Sequence, residues 1–172
     1  YLKVEKQFKE DPLGHQAKFN NAKVYYYAGE FDWCQAQLDV LKASTSKLIA
    51  NDALALSVLI TDNYNMDTSE VAMKLFATGD MYVAQKKYNE ALRIYDSIYN
   101  QFQDHSLNDD ILFRKAQVFK TQQMQKKAID VLKQLEQEFP GSIILDKALF
   151  NIAQLYENDL TDFESAKKYY RK

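Results

Sequence analysis

The side chains with the most conspicuous chemistry lie in "KVYYYAGEFDW", residues 23–33, where five of eleven are aromatic. Clustered rings can stack on nucleobases or sugars, so the first question is whether these form a platform. On a helix they cannot: successive residues rotate by about 100°, so Tyr25, Tyr26 and Tyr27 face different directions. Cys34 is the one cysteine, which allows no internal disulfide, and a buried free cysteine behaves as a small hydrophobe. His15 and His105 stand far apart and lack metal-ligand spacing, and the acids around His105 in "DHSLNDD", residues 104–110, suit loop and capping roles. Glycine-rich phosphate loops, serine nucleophile elbows and paired-carboxylate signatures are missing from the sequence. The chain is therefore read as non-enzymatic, with no catalytic residue, no metal ligand and no cofactor.

Composition narrows the partner class. The 172 residues are 47% hydrophobic and 27% charged, an ordinary globular balance. A net charge of −2 disfavours a dedicated nucleic-acid binder, because phosphate neutralisation supplies most of that affinity. The lysine pairs at 86–87, 126–127 and 167–168 read as solvated helix surface. The longest apolar run, within "ALALSVLI", is too short to span a bilayer. Only four glycines and two prolines interrupt the chain, which predicts long helices. The chain opens on Tyr1 rather than methionine, so a processed N-terminus would conceal any targeting signal.

What must position these residues is a repeat. Aligning residues 74–98, 111–135 and 148–172 sets Gly79, Ala116 and Ala153 at intervals of 37, and the aromatics Tyr82, Phe119 and Tyr156 likewise. Ala91, Ala128 and Ala166 follow at 37 and 38, with the extra residue assigned to the "NDLTD" loop. Ala22, Tyr25, Phe31, Cys34 and Leu38 take the places of Gly79, Tyr82, Tyr88, Ala91 and Tyr95, so the opening stretch is another copy. Apolar spacings of three and four on both sides of a short polar break make each unit a pair of amphipathic helices, and strand signals are absent. Asp67 with Glu70, Ser106 with Asp109, and Thr161 with Glu164 have the spacing of capping boxes. Between Cys34 and Ala91 the interval is 57, about one helix too many, which places an extra helix in "SKLIANDALALSVLITDNYN".

This pattern resembles the tetratricopeptide repeat family, through Leu75-Gly79-Tyr82-Tyr88-Ala91-Tyr95, Leu112-Ala116-Phe119-Ala128-Leu132-Pro140 and Leu149-Ala153-Tyr156-Phe163-Ala166-Tyr170. Gln125 and Gln103 depart from it where an aromatic and a proline are usual, and the spacing is 37 rather than about 34. The resemblance implies an all-α solenoid of stacked antiparallel helix pairs forming one superhelical domain over residues 1–172, a slice of a longer array. Residues 1–12 would end a preceding repeat, with repeats at 15–45, 68–104, 106–140 and, truncated, 142–172, and the extra helix at 46–66. A 37-residue spacing and "EFPGSIILDKALFNIAQLYE" are similar to repeats of bacterial cell-envelope proteins, which implies the periplasm, with the cytoplasm as alternative.

Function follows from the same resemblance. Phe19, Phe76, Phe113 and Phe150 hold one place in all four copies, a place that in the family faces the groove. Tyr25 is expected in the core and Tyr26 and Tyr27 on the concave face, with Gln117, Lys120 and Gln154 as polar readers. The groove residues Lys23, Asp80, Gln117 and Gln154 lack the Lys and Asn of the family's carboxylate clamp. Leu112 and Leu149 should point into the core beside the outward Phe113 and Phe150. Trp33 is expected to cover the extra helix or to mark a lateral contact. The reading is a scaffold binding a peptide or helix segment of a protein partner, with self-association through exposed solenoid ends. A glycan or small-molecule binder and a helper region of a larger enzyme are the alternatives.

Overall fold

The computed structural model describes residues 1–8, 11–42, 47–64 and 70–172. Among these there is no strand, as the helical periodicities require. No described helix is long and apolar enough to cross a membrane. The fold is all-α, a TPR-like helical repeat, and divides into two compact units, Tyr1–Gln85 and Lys86–Lys172.

In the first unit, α1 (Leu2–Gln7), α2 (Pro12–Tyr27), α3 (Phe31–Lys42), α4 (Lys47–Tyr64) and α5 (Val71–Ala84) follow in order. Asp11 caps α2 by accepting from the Leu13 N–H at 2.8 Å, and Pro12 takes the first helical position, where its missing N–H costs nothing. The short connection from α2 to α3 folds them into a hairpin, closed over Ala22, Phe31, Cys34 and Leu38, all buried. The expected extra helix is α4, packed on α3. A polar seam joins the two. Gln35 Nε2 donates to the Ser57 carbonyl and Thr61 Oγ1, while Ser57 Oγ donates to Gln35 Oε1 and accepts from Lys42 Nζ.

The second unit runs α6 (Tyr88–Gln101), α7 (Leu107–Thr121), α8 (Gln125–Glu138), α9 (Leu145–Gln154) and α10 (Phe163–Tyr170), each packed on the next. Its interior is apolar: Leu112, Ala116, Ala128, Leu132, Leu135, Ala148, Ile152, Ala153 and Leu155 are buried together. The alanine columns sit where helices approach closely, which is why no larger residue recurs there. The extra residue of the last repeat is not simply looped out. A π-helical turn over Leu155–Asp159 ends α9 and absorbs it, so that Ala153 and Ala166 both stay in the core.

Four inter-helix turns each hold one residue at positive φ: Gly29 (75°), Lys86 (60°), Gln123 (58°) and Thr161 (52°). The carbonyl of the column aromatic accepts the N–H that follows this residue, Glu30 to Tyr25 at 3.0 Å, Met124 to Phe119 at 2.8 Å and Asp162 to Tyr156 at 2.8 Å. This left-handed C-terminal closure satisfies helix carbonyls that would otherwise lack partners.

Two of the expected capping boxes do not form. Ser106 stands at the start of α7 in a helical conformation without a side-chain cap, and His105 Nδ1 instead accepts the Leu107 N–H at 3.0 Å. Asp109 is drawn away from capping by Ser142, whose Oγ donates to it at 2.6 Å. Thr161 occupies the left-handed turn, so the cap of α10 falls one residue later, on Asp162, which accepts from the Ser165 N–H at 3.1 Å. That bonding holds the Asp162 carboxyl below its usual range. Asp67 lies outside the described residues.

Candidate functional site

The phenylalanine column does not form a uniform exposed stripe. Phe19, Phe76 and Phe113 are buried, whereas Phe150 is 52% exposed. The reason is what packs over each ring. Lys23 Nζ lies 5.1 Å from the Phe19 ring centroid, and Lys147, on α9, lies 5.2 Å from that of Phe113. Both contacts have cation–π geometry. Leu112 and Leu149 are buried as expected, but Phe113 joins Leu112 in the core instead of opposing it. Among the regular copies, only Phe150 keeps the expected contrast with its preceding leucine.

The three tyrosines sort differently from the expectation. Tyr26, 2% exposed, is the core residue, and its hydroxyl donates to Asp80 Oδ2 at 3.0 Å. Tyr25 is half-buried, and Tyr27 is half-buried with its ring tilted against Tyr26 at 5.6 Å. On α2 it is Tyr26, not Tyr25, that packs inward, with its ring 6.0 Å from that of Phe31. Trp33 is 62% exposed, while the polar seam from Gln35 joins α3 to α4. Cys34 is buried, and desolvation pushes its thiol up to about 12, which makes it a packing residue.

In the second unit the structure does bring sequence-predicted residues together. Phe113, Gln117 and Lys120 line one cleft, with Ala116, Leu132, Asn151 and Leu155. Its floor is apolar and its rim polar: Gln117 and Lys120 on α7 are exposed, and Asn151 on α9 is held by donating from Nδ2 to the Lys147 carbonyl at 2.7 Å. Gln154 is half-buried and does not line this cleft. Asn151 escaped the sequence reading because its column, Asn20, Ala77, Arg114 and Asn151, has no recurrent residue type. The enclosed volume is about 10 Å³, room for about one water molecule.

Two titratable groups elsewhere in this unit are shifted. Burial and then the Glu138 carboxylate push the Tyr99 hydroxyl up to about 12, and the hydrogen bond to Tyr156 raises Lys133. Both shifts lead away from the neutral range in which general acids and bases work. Among the described residues no group of three His, Cys, Asp or Glu side chains is placed to hold a metal ion.

Comparison with known proteins places this geometry. Residues 110–142 and 147–172 match the family model described as Tetratricopeptide repeat. No curated protein matches the chain. Among solved structures, MamA of AMB-1 is similar over 94% of this chain and 90% of its own, at 17% identity and a TM-score of 0.48, a likeness too low to carry over that protein's properties. The matched residues span α7 to α10, the hairpins that build the cleft. Over residues 110–142 and 147–172, then, the chain is similar to tetratricopeptide repeats.

Proposed function

We propose that the chain is a non-enzymatic scaffold that binds an extended segment of another protein across the surface formed by α7 and α9. The observation that supports this reading is the cleft itself, in which Gln117, Lys120 and Asn151 rim an apolar floor of Phe113, Ala116, Leu132 and Leu155. Amide side chains pair with the backbone of an extended segment, and the Lys120 ammonium favours an acidic residue on it. Helices preform the surface, so little ordering cost falls on the receptor. Because the floor admits no more than about one water, affinity would come from the rim rather than from a swallowed side chain. This cleft is far smaller than common small-molecule sites, which enclose about 300–1,000 Å³.

Photo-crosslinking in the protein's own cells tests the reading. A crosslinker at Gln117 or Asn151 should capture a discrete protein, and one at Glu136 on α8 should not. Replacing Gln117, Lys120 and Asn151 together by alanine should weaken that partner's binding at least tenfold without moving the urea midpoint. Equal capture from Glu136, or full binding by the triple variant, would place recognition on another surface.

A further inference from the structure

A helix that is apolar all round belongs in a buried setting, and α4 has apolar residues on both its sides. The inner side is accounted for: Ile49, Ala53 and Ile60 are buried, and the bonds between Gln35 and Ser57 tie it to α3. The outer side is open. Leu48 is 73%, Leu54 51% and Val58 36% exposed, with Asn51 and Ala55 exposed among them. Solvent contact elsewhere in the chain goes with a different composition: the exposed residues of α8 are Lys126, Lys127, Asp130, Gln137 and Glu138, all polar. Since α4 is an internal helix, flanked by α3 and α5, this surface is not an end of the helical array. Its residues are also spaced for a purpose. Leu48, Asn51, Ala55, Val58 and Asp62 stand at alternating intervals of three and four, the heptad spacing of a seam that faces one other helix. Asp62 closes this row in the last turn of α4, where its charge opposes the carbonyl end of its own helix.

We infer that the outer face of α4 is the seam of an antiparallel pair with α4 of a second copy of this chain. The row is self-complementary when turned end for end about the level of Ala53: Leu48 meets Val58 of the other copy and Asn51 meets its Ala55, each pair occurring twice. The amide thus falls opposite the smallest side chain, and a polar residue within a seam fixes its register. Charge selects the direction. Antiparallel pairing brings Asp62 to the positive N-terminal end of the other helix, whereas parallel pairing sets two Asp62 carboxylates against each other. The 18 residues of α4 make a helix about 27 Å long. One seam of that length lies at the small end of specific interfaces, near or below about 1,200 Å², so the pairing is weak and concentration-dependent. The face belongs to the first unit and shares no residue with the α7–α9 cleft, so it stands or falls independently of the proposed segment binding.

Sedimentation of the 172-residue chain from micromolar to millimolar concentration should show a monomer–dimer equilibrium. Val58→Lys puts a charge into the seam twice per dimer and should weaken association about tenfold or more, and Leu48→Glu should do the same. Each variant should keep its urea midpoint nearly unchanged, because both side chains stand in water in the single chain. Mixed in equal amounts, the two variants should dimerise again: in the antiparallel pair the introduced lysine meets the introduced glutamate, and the other end keeps its Leu48–Val58 contact. A parent chain that stays monomeric throughout overturns the proposal, and so does a mixture that fails to restore a dimer the parent forms. A large fall in the urea midpoint of Val58→Lys would show that the face is packed within the chain. A dimer that survives Val58→Lys but is lost in Phe150→Ser would place the self-contact on another surface; either result rejects the α4 seam.

Discussion

The two units solve the same packing problem with different materials. In the second, the hairpins repeat by translation and the interior is sealed almost entirely by apolar contact, with Leu112, Ala128, Leu132 and Ile152 buried. In the first, α4 interrupts the translation, and the seams carry polar bonds: Tyr26 to Asp80 inside the first helices, and Gln35, Lys42 and Ser57 between α3 and α4. Apolar contact is non-directional, so a regular array can use it because the repeat itself sets the register. A helix inserted out of register has no such guide, and directional hydrogen bonds supply one. The insertion also leaves more apolar surface outside, with Trp33, Val40, Leu48 and Leu54 all exposed.

The largest expected effect contrasts Leu112 with Leu75, which hold the same place in the two units. Leu112 is fully buried and Leu75 half-buried. Leu112→Ser should cost about 3–5 kcal/mol, from lost burial plus a buried hydroxyl, and Leu75→Ser clearly less. Equal shifts of the two urea midpoints would break the comparison. Next comes Ala128→Leu, which should overpack the close approach of α7 and α8 by about 1–3 kcal/mol. An unchanged denaturation midpoint would mean that the alanine column does not mark that approach.

The turns give a paired test of opposite sign. At Gly29, φ is 75° and an added Cβ would meet Lys74 Cγ at 3.1 Å, so Gly29→Ala should destabilise by about 1–2 kcal/mol. Gln123 holds the same conformation at 58° without being glycine, so Gln123→Gly should stabilise by up to about 1 kcal/mol. Thermal melts that move in the same direction for both would show that the turns are not equivalent. Tyr26→Phe removes the hydroxyl bond to Asp80 and keeps the ring, for a loss of about 1 kcal/mol; a loss no larger than that of Tyr27→Phe would make the bond irrelevant to the first unit. Smallest of all, Trp33→Ser should change stability by less than about 0.5 kcal/mol, because that ring is mostly in water. A large drop in its melting temperature would return Trp33 to the role of covering α4.

Much of the fold was legible in the residues. The columns of small residues at Gly79, Ala116 and Ala153 and at Ala91, Ala128 and Ala166 are set by sequence spacing, and close helix packing follows from size alone. The extra helix at α4 was visible as a surplus in that spacing. The left-handed turns were not, since Lys86, Gln123 and Thr161 do not announce positive φ as Gly29 does. Nor were the true helix starts, because His105 accepts the Leu107 N–H in place of a Ser106 cap and the Asp109 carboxylate has a distant partner in Ser142.

For the candidate site the division is sharper. Periodicity alone determined that Phe113 and Phe150 share one position, and that Gln117 and Lys120 stand on the same helix as Phe113. It could not determine that Phe113 is buried and Phe150 is open, because the cover over each ring is a neighbouring helix rather than anything in its own repeat. Asn151 entered the cleft for the same reason, from a helix some thirty residues on, by a contact between α7 and α9 that no residue in its column foretells. A repeat encodes which face of each helix is apolar; only the packed neighbours decide which of those faces water can still reach.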